Sequence, residues 1–386
     1  WIISSIFILI LTYGLRRLFI HLVRRGFFLK QALLLCDSLE RARELMDLLK
    51  RSAFSPYHLR GLVWCGMGEP PLRPHGLPPM LGTLETLTER IGEYGASSLL
   101  LSVSSIRSHE ILPQLRPLRY TGIELMDYVA LSEEIAQEIP LAYINDEWLM
   151  TATLNSSILQ VRKIKRAMDV LVSSIGLLLG VPIMLLAGAL IKMGSPGPMF
   201  YKQTRVGMGG KPYTLFKLRT MRADAESNGA VWAQKKDPRV TGIGYYLRKW
   251  RIDEIPQLFN IIKGEMSLVG PRPERPEFTE KLAAHIPFYD ERHLVPPGLT
   301  GWAQVRFPYA ASFDAAARKL QFDLYYIKNM SFLFDVAILF KTIKTILKGL
   351  RHEDESLLQT GDKLEELLAP PSSVQEEDGD RTGGST

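Results

Sequence analysis

Residues 170–191 read VLVSSIGLLLGVPIMLLAGALI, 22 positions without a charge. At ~1.5 Å per residue such a run makes a helix of ~33 Å, enough to cross a bilayer core of ~30 Å. Pro182 stands in its middle. Proline removes one helical hydrogen bond and crowds the preceding turn, so the run predicts a bent helix. Cations flank both ends: Arg162, Lys163, Lys165 and Arg166 before it, Lys192, Lys202, Arg205 and Lys211 after it. A straight span would export one basic flank, against the positive-inside tendency. A re-entrant helix over 167–192, kinked at Pro182 and leaving by the leaflet it entered, keeps both flanks cytoplasmic. That is the expectation, with an ordinary span as the alternative.

Upstream, the chain begins WIISSIFILILTYGLRRLFIHLVRRG, an apolar stretch running into Arg16, Arg17, Arg24 and Arg25. Residues 1–25 read as the remnant of a transmembrane helix with its basic flank in the cytoplasm; an amphipathic surface helix is the alternative. Over 31–130 short apolar runs alternate with helical patterns. ALLLC (32–36), LRGLVWC (59–65), SSLLLSV (97–103) and IELMDYV (123–129) read as strands; 38–52, 83–94 and 106–118 read as helices. Strand and helix alternating at that spacing predict a parallel α/β sheet of Rossmann-like type. The first strand runs into CDSLERA and lacks the GxGxxG through which backbone amides approach a pyrophosphate, so packing or regulation is the expected role. Residues 131–165 read as a connector.

Charge is unevenly distributed over the 386 residues. The formal net charge is +6, yet residues 1–351 carry +14 because the last stretch is acidic. The tail at 351–386 is polar and acidic, a composition that predicts disorder. A basic body predicts partners bearing phosphate or an anionic membrane surface. Cys36 and Cys65 stand alone, and the seven histidines show no metal-ligand spacing. A disulfide framework and a zinc site are therefore not expected, and a reducing cytoplasmic setting fits. In SFLFDVAILFKTIKTILKG (331–349), Lys341, Lys344 and Lys348 edge a wide apolar surface, as in a helix lying among lipid headgroups or in a core helix with a solvated edge.

The densest chemistry lies in RKWRIDEIPQLFNIIKGEMSLVGPRPERPEF (248–278), where Asp253 and Glu254 sit among many cations. Apolar positions 255, 258, 259, 261 and 262 recur with helical spacing, Gly264 is a stop, and Pro256 is tolerated only in a first turn. The acidic pair is thus expected at the positive end of a helix. Arg272 is held between Pro271 and Pro273, which suits bidentate grip of phosphate. Lys217, Arg219 and Arg205 add further candidate phosphate contacts, each charge-assisted bond contributing roughly 1.5–3 kcal/mol.

These pieces together resemble the monotopic phosphoglycosyl transferases, or bacterial sugar transferases, of the large exopolysaccharide type. The resemblance covers 160–350 through KRAMD, GSPGPMFYKQTRVG, FKLRTMRADAE, DPRVTGIGYYLRKWRIDEIPQLFNIIKGEMSLVGPRPERPEF, PPGLTGWAQVRFPY and KLQFDLYYIKNMSFLFD. It implies a mostly helical α+β catalytic domain over 166–350, preceded by transmembrane helices and a Rossmann-like, CoA-binding-like domain. The implied activity moves a sugar 1-phosphate from a UDP-sugar to undecaprenyl phosphate at the bacterial inner membrane, with Mg²⁺, releasing UMP on the cytoplasmic face. It is a first membrane step of exopolysaccharide, capsule or O-antigen synthesis. Asp253 would be the nucleophile, Glu254 would position the metal, and Lys217, Arg248 and Arg272 would hold phosphates.

Two departures from the family pattern stand out. Val181 occupies the place before Pro182 where serine is frequent, so the bend rests on Pro182 with Gly180. KGEMS stands where KGDMS is commoner, so Glu265 receives no metal role. An inactive membrane-tethered nucleotide sensor is the alternative reading, and within the enzyme reading Asp253 as general base in a single displacement stays open. Nucleic-acid binding is not expected, because the acidic pair would weaken it. Homo-oligomerisation is left open.

Overall fold

The computed structural model describes residues 29–51, 55–70, 76–144, 157–225, 237–307 and 312–349, with scattered positions between 11 and 22 and at 149. The expected transmembrane remnant at 1–25, apart from those scattered positions, and the expected acidic tail at 351–386 lie outside the described residues. The chain divides into two compact units, Trp1–Ile144 and Asn145–Thr386.

Alternation builds the first unit. In β1 (Lys30–Cys36), Ala32, Leu34 and Cys36 join one apolar cluster while Leu33 and Leu35 join another, as the two-residue period of a strand requires. β1 is flanked by β2 (Tyr57–Trp64) and β4 (Ser98–Ser102), with β3 (Met80–Thr83) and β5 (Glu124–Asp127) at the edges; the order is β3-β2-β1-β4-β5, all parallel. On one face α1 (Leu39–Arg51) packs Ala42, Leu45 and Leu48 against the sheet, joined by Leu131 of α4 (Tyr128–Ile135). On the other, α2 (Leu87–Tyr94) brings Leu87 and Ile91, and α3 (Ser105–Tyr120) brings Ile111, Leu115 and Leu118. Each fully buried Leu contributes about 1.5–3 kcal/mol, and β1 alone buries three.

Three details depart from expectation. Met80–Gly82 fall in no expected element, yet MLGT forms edge strand β3. IELMDYV stops being a strand at Asp127, whose side chain accepts from Ala130 N at 2.7 Å and starts α4. The connector expected over 131–165 is helical to Ile135, belongs to the first unit as far as Ile144, and at its other end is taken into a long helix.

That helix, α5 (Ser157–Gly194), is 38 residues long and runs through Pro182 without interruption. It extends beyond the expected 167–192, and its portion Val161–Gly194 is apolar and long enough to cross a membrane. One seam of it faces protein throughout. Lys165, Asp169, Ser173, Gly180, Ala187 and Ile191 are buried at steps of four or seven residues, while Pro182 lies on the exposed side. Lys165 Nζ donates to Asp335 Oδ2 at 2.7 Å, and Asp169 Oδ1 accepts from Leu268 N at 3.0 Å. Ala187 and Ile191 cluster with Leu218 and Leu247. The opposite side exposes Leu171, Ile175, Leu178, Leu179, Leu185 and Leu186.

The remaining elements of the second unit are all shorter than α5. β6 (Phe200–Val206) and β7 (Pro212–Leu218) form an antiparallel hairpin; β8 (Ser267–Val269) pairs with β9 (Gly298–Thr300) in parallel. Between the pairs lie α6 (Gly242–Lys249), a 3₁₀ turn at Ile252–Glu254 and α7 (Gln257–Lys263). After them come α8 (Pro276–His285), α9 (Trp302–Arg306), α10 (Phe313–Lys328) and α11 (Phe332–Gly349). Where β8 ends, a Cβ on Gly298 would stand 2.1 Å from Gly270 N, so glycine is required for that approach. On α11 the lysine edge is partly folded back: Lys341 Nζ sits 4.3 Å from the Trp302 ring centre, and Leu333, Phe340 and Ile343 are exposed instead.

Candidate active site

The acidic pair owes its position to a tight junction. α6 ends at Lys249, and Arg251 then adopts the left-handed conformation (φ 55°, ψ 22°), uncommon for a residue with a Cβ, to launch the 3₁₀ turn carrying Asp253 and Glu254. α7 proper begins only at Gln257, with Pro256 as its cap, so the carboxylates stand one turn ahead of the helix. Gly264 stops α7 in the left-handed region at φ 91°, as expected. Asn260 binds this helix to β7: its Oδ1 accepts from Phe216 N at 3.1 Å, and its Nδ2 donates to Thr214 O and Glu265 Oε2, both at 2.7 Å. Lys217 on β7 is thereby set opposite the pair.

Glu254 Oε1 lies 3.3 Å from Lys217 Nζ, 3.3 Å from Arg251 Nη1 and 3.8 Å from Arg272 Nη2. Burial alone would raise its pKa, but Lys217, Arg272 and Arg251 outweigh it and hold Glu254 well below the usual carboxylate range. Lys217 is pushed down by burial against the opposing pull of Glu254. Asp253 goes the other way. It is 6% exposed, its Oδ1 has no hydrogen-bond partner among the described residues, and burial, then Glu254, pushes it up to about 6 despite Lys217, Arg251 and Arg248. A cavity is lined by Arg205, Lys217, Glu254, Gln257 and Arg272, closed by Leu215, Pro273, Gly298 and Leu299. Asp253 is not among its lining residues.

A carboxylate ringed by cations beside a second, more basic carboxylate is suited to handling phosphate esters. The description "bacterial sugar transferase" belongs to the family whose model matches residues 160–349. A UDP-glucose:undecaprenyl-phosphate glucose-1-phosphate transferase of Caulobacter vibrioides is 40% identical over 185 residues, 47% of this chain and 69% of that protein. The chain belongs to the bacterial sugar transferase family. A UDP-N-acetylgalactosamine-undecaprenyl-phosphate N-acetylgalactosaminephosphotransferase of Aeromonas hydrophila is 50% identical over 186 residues, and the match spans 48% of this chain and 44% of that protein. A UDP-glucose:undecaprenyl-phosphate glucose-1-phosphate transferase of Escherichia coli is 39% identical over 184 residues, 47% of this chain and 40% of that one. The match to this sugar transferase therefore covers less than half the length of the last two relatives.

Within this sugar transferase the predicted site residues separate by what their side chains touch. Lys217, Glu254, Arg272 and Arg205 meet at the cavity. Arg205 is engaged with protein: it donates to Gln203 Oε1 and, at 3.0 Å, to Pro273 O, bracing the Pro271–Pro273 loop. Arg248 Nε donates to Thr220 Oγ1 at 2.8 Å, close enough to act on Asp253 but outside the cavity lining. Arg219 stands apart from the cavity. Its Nη1 donates to Pro196 O at 2.7 Å and its Nη2 to Ser195 O and Oγ at 2.8 and 2.9 Å, fastening the segment after α5.

Three contributors carry no clear sign of their role in the sequence. Arg251 stood within the basic run, but only its backbone conformation reveals that it turns onto Glu254. Arg292, 6% exposed, donates to Arg272 O at 2.9 Å, Asp323 Oδ2 at 3.0 Å and Tyr289 Oη at 2.6 Å, so it fixes the backbone of the Pro-flanked arginine. Gln257 lines the cavity; its place after Asp-Glu-Ile-Pro was the available signal. Glu265, to which the sequence gives no metal role, accepts from Asn260 and Lys263.

Among the described residues no cluster of three or more Asp, Glu, His or Cys side chains is arranged to hold a metal. Mg²⁺ does not need one: it binds through one or two carboxylates together with substrate phosphates. Glu254, facing the cavity beside Asp253, is a donor set of that kind.

Proposed function

We propose that this chain transfers a sugar 1-phosphate from a UDP-sugar to undecaprenyl phosphate and releases UMP. The observation that carries this reading is Glu254, held by Lys217, Arg251 and Arg272 at a cavity beside the buried, partnerless oxygen of Asp253. An Asp253 oxygen forms a bond to the sugar-bearing phosphorus. The bond from that phosphorus to the bridging oxygen breaks, and UMP leaves with the electron pair. An oxygen of undecaprenyl phosphate then bonds to the same phosphorus, the aspartyl–phosphorus bond breaks, and the carboxylate is restored. Splitting one displacement into two suits a soluble donor and a lipid acceptor. Attack requires Asp253 to turn from its buried position into the cavity that Glu254, its neighbour, already lines.

Lys217 and Arg272 neutralise charge accumulating on the transferring phosphoryl group. Glu254, with phosphate oxygens, would hold Mg²⁺, whose contribution when bound is further neutralisation of that charge. The names of the relatives divide between N-acetylgalactosamine and glucose. The test is UMP release by the full chain from UDP-N-acetylgalactosamine and UDP-glucose in the presence of undecaprenyl phosphate and Mg²⁺. Release from at least one donor, dependent on the lipid, is expected; none from either would sink the reading.

We further infer that α5 is re-entrant, entering and leaving the cytoplasmic leaflet of the inner membrane with its bend at Pro182. What supports this is the seam: from Lys165 to Ile191 one side of the helix packs on its own domain. A helix crossing a bilayer could not keep a folded domain with charged partners such as Asp335 beside it along that length. Cysteines placed at exposed Lys163 and Lys192 should both react with a reagent confined to the cytoplasmic side.

A further inference from the structure

Gln257 opens α7, and Asn260 follows it on the same short helix. The two buried amides are treated differently. Asn260 is fully buried and uses its oxygen once and its nitrogen twice. Gln257 is 3% exposed, and its Nε2 has no hydrogen-bond partner among the described residues. A buried donor left unmet is costly, and native folds retain few of them; where one borders a site, it is ready for a ligand's acceptor.

The surroundings identify that acceptor. Gln257 shares its cavity with Lys217, Arg272 and Arg205, while Leu215 and Leu299 offer only apolar surface. Three cations select a ligand rich in negative oxygen, and the oxygens of a phosphate ester or anhydride accept hydrogen bonds without donating. Lysine supplies charge with little direction. An amide at the head of a short, capped helix supplies a neutral donor in a fixed direction, with its two ends exchangeable by a half-turn of the terminal torsion.

We propose that Gln257 touches the substrate: its side-chain amide donates a hydrogen bond to a phosphoryl oxygen of the diphosphate held by Lys217 and Arg272. This role rests on the phosphoryl-transfer function proposed above and adds a residue to it.

Inorganic pyrophosphate is the probe, because it carries the phosphoryl oxygens and no sugar or base. Its Kd is measured on the full-length chain and on Gln257→Met, which keeps the volume and removes the donor. The expected result is a Kd raised about 10-fold or more, with kcat/KM for UMP release reduced by a similar factor and the unliganded Tm unchanged within a few degrees. Gln257→Glu, the same shape with an acceptor in place of the donor, should weaken pyrophosphate at least as much and serves if the methionine variant does not fold. Unchanged pyrophosphate binding in both variants would overturn the role. So would a variant that raises only the KM for the sugar donor, since the amide would then read the sugar. If wild type and Lys217→Met are alike indifferent to pyrophosphate, the phosphoryl-transfer reading itself fails, which is a different outcome from failure of Gln257 alone.

Discussion

At the carboxyl edge of the first unit's sheet, between β1 and β4, the strand order reverses; crevices of this kind hold ligands in open α/β folds. Here the chain fills the place itself. Asp37 follows β1, and its Oδ2 accepts from Ser104 N at 2.8 Å while its Oδ1 accepts from Arg41 Nη1 at 2.8 Å. In the second unit the acidic pair is met less completely: Glu254 shares one oxygen among three cations at 3.3–3.8 Å, and Asp253 Oδ1 and Gln257 Nε2 have no partners among the described residues. Both crevices concentrate charge. A closed network tightens a fold, whereas an incompletely met one retains binding capacity for a ligand.

The largest test of that contrast is Asp253→Asn, which keeps the shape and removes the carboxylate proposed to attack. UMP release should fall about 10⁴-fold, and label from a sugar-phosphate-labelled donor should no longer become attached to the protein. Retained turnover would leave Glu254, the carboxylate that lines the cavity, as the group to examine. Next in size is Lys217→Met, expected to cost about 10- to 100-fold in kcat/KM. Its control is Arg219→Met. Because Arg219 donates to Ser195 and Pro196 rather than to the cavity, that change should lower Tm while leaving KM for the donor within about threefold. Equal kinetic losses in both variants would erase the distinction between a ligand-facing cation and a structural one.

A smaller effect separates the two carboxylates by pH. Asp253 is pushed up to about 6 by burial and by Glu254, and the attack proposed for it requires its ionised form. The rate should therefore climb through pH 6 and level above it, falling about tenfold for each further unit below. Raising Mg²⁺ should shift this acid limb downward, because a cation held at Glu254, as proposed, would offset the second cause of the rise. A profile flat from pH 5 to 7 would contradict the assignment.

Much of this arrangement is legible in the sequence, and the parts that are not share a physical reason. The alternation of 32–36 and 97–103 with helical patterns announced the parallel sheet, because burial on both faces leaves little but apolar residues there. β3 was hidden because four residues at a sheet edge carry almost no periodic signal, and the end of β5 was hidden because Asp127 caps a helix only if the next turn forms. Around the acidic pair, sequence displayed the cations but not their directions. Arg219 and Lys217 lie two apart on the FKLRTM stretch, yet one turns to Ser195 and the other to Glu254. Arg292 was invisible because its effect on Arg272 passes through a backbone carbonyl 20 residues away in sequence.

The smallest expected effect lies in the first unit. Burial would raise the Asp37 pKa, but the Ser104 N–H and Arg41 outweigh it and hold the carboxyl below its ordinary value. A depressed carboxylate stabilises the fold above its unfolded pKa, and that contribution is lost as pH falls through the folded one. Asp37→Ala should thus weaken the β1–β4 junction by about 1–2 kcal/mol near neutrality, read as amide exchange 5- to 30-fold faster in peptides from β1 and β4. UMP release should stay within twofold. The difference from wild type should shrink in acid, where wild type loses the same interaction by protonation; a gap that persists there would belong to packing rather than charge. Transfer falling tenfold or more along with protection would mean that the closed crevice also serves the reaction, and the contrast between the two units would have to be abandoned.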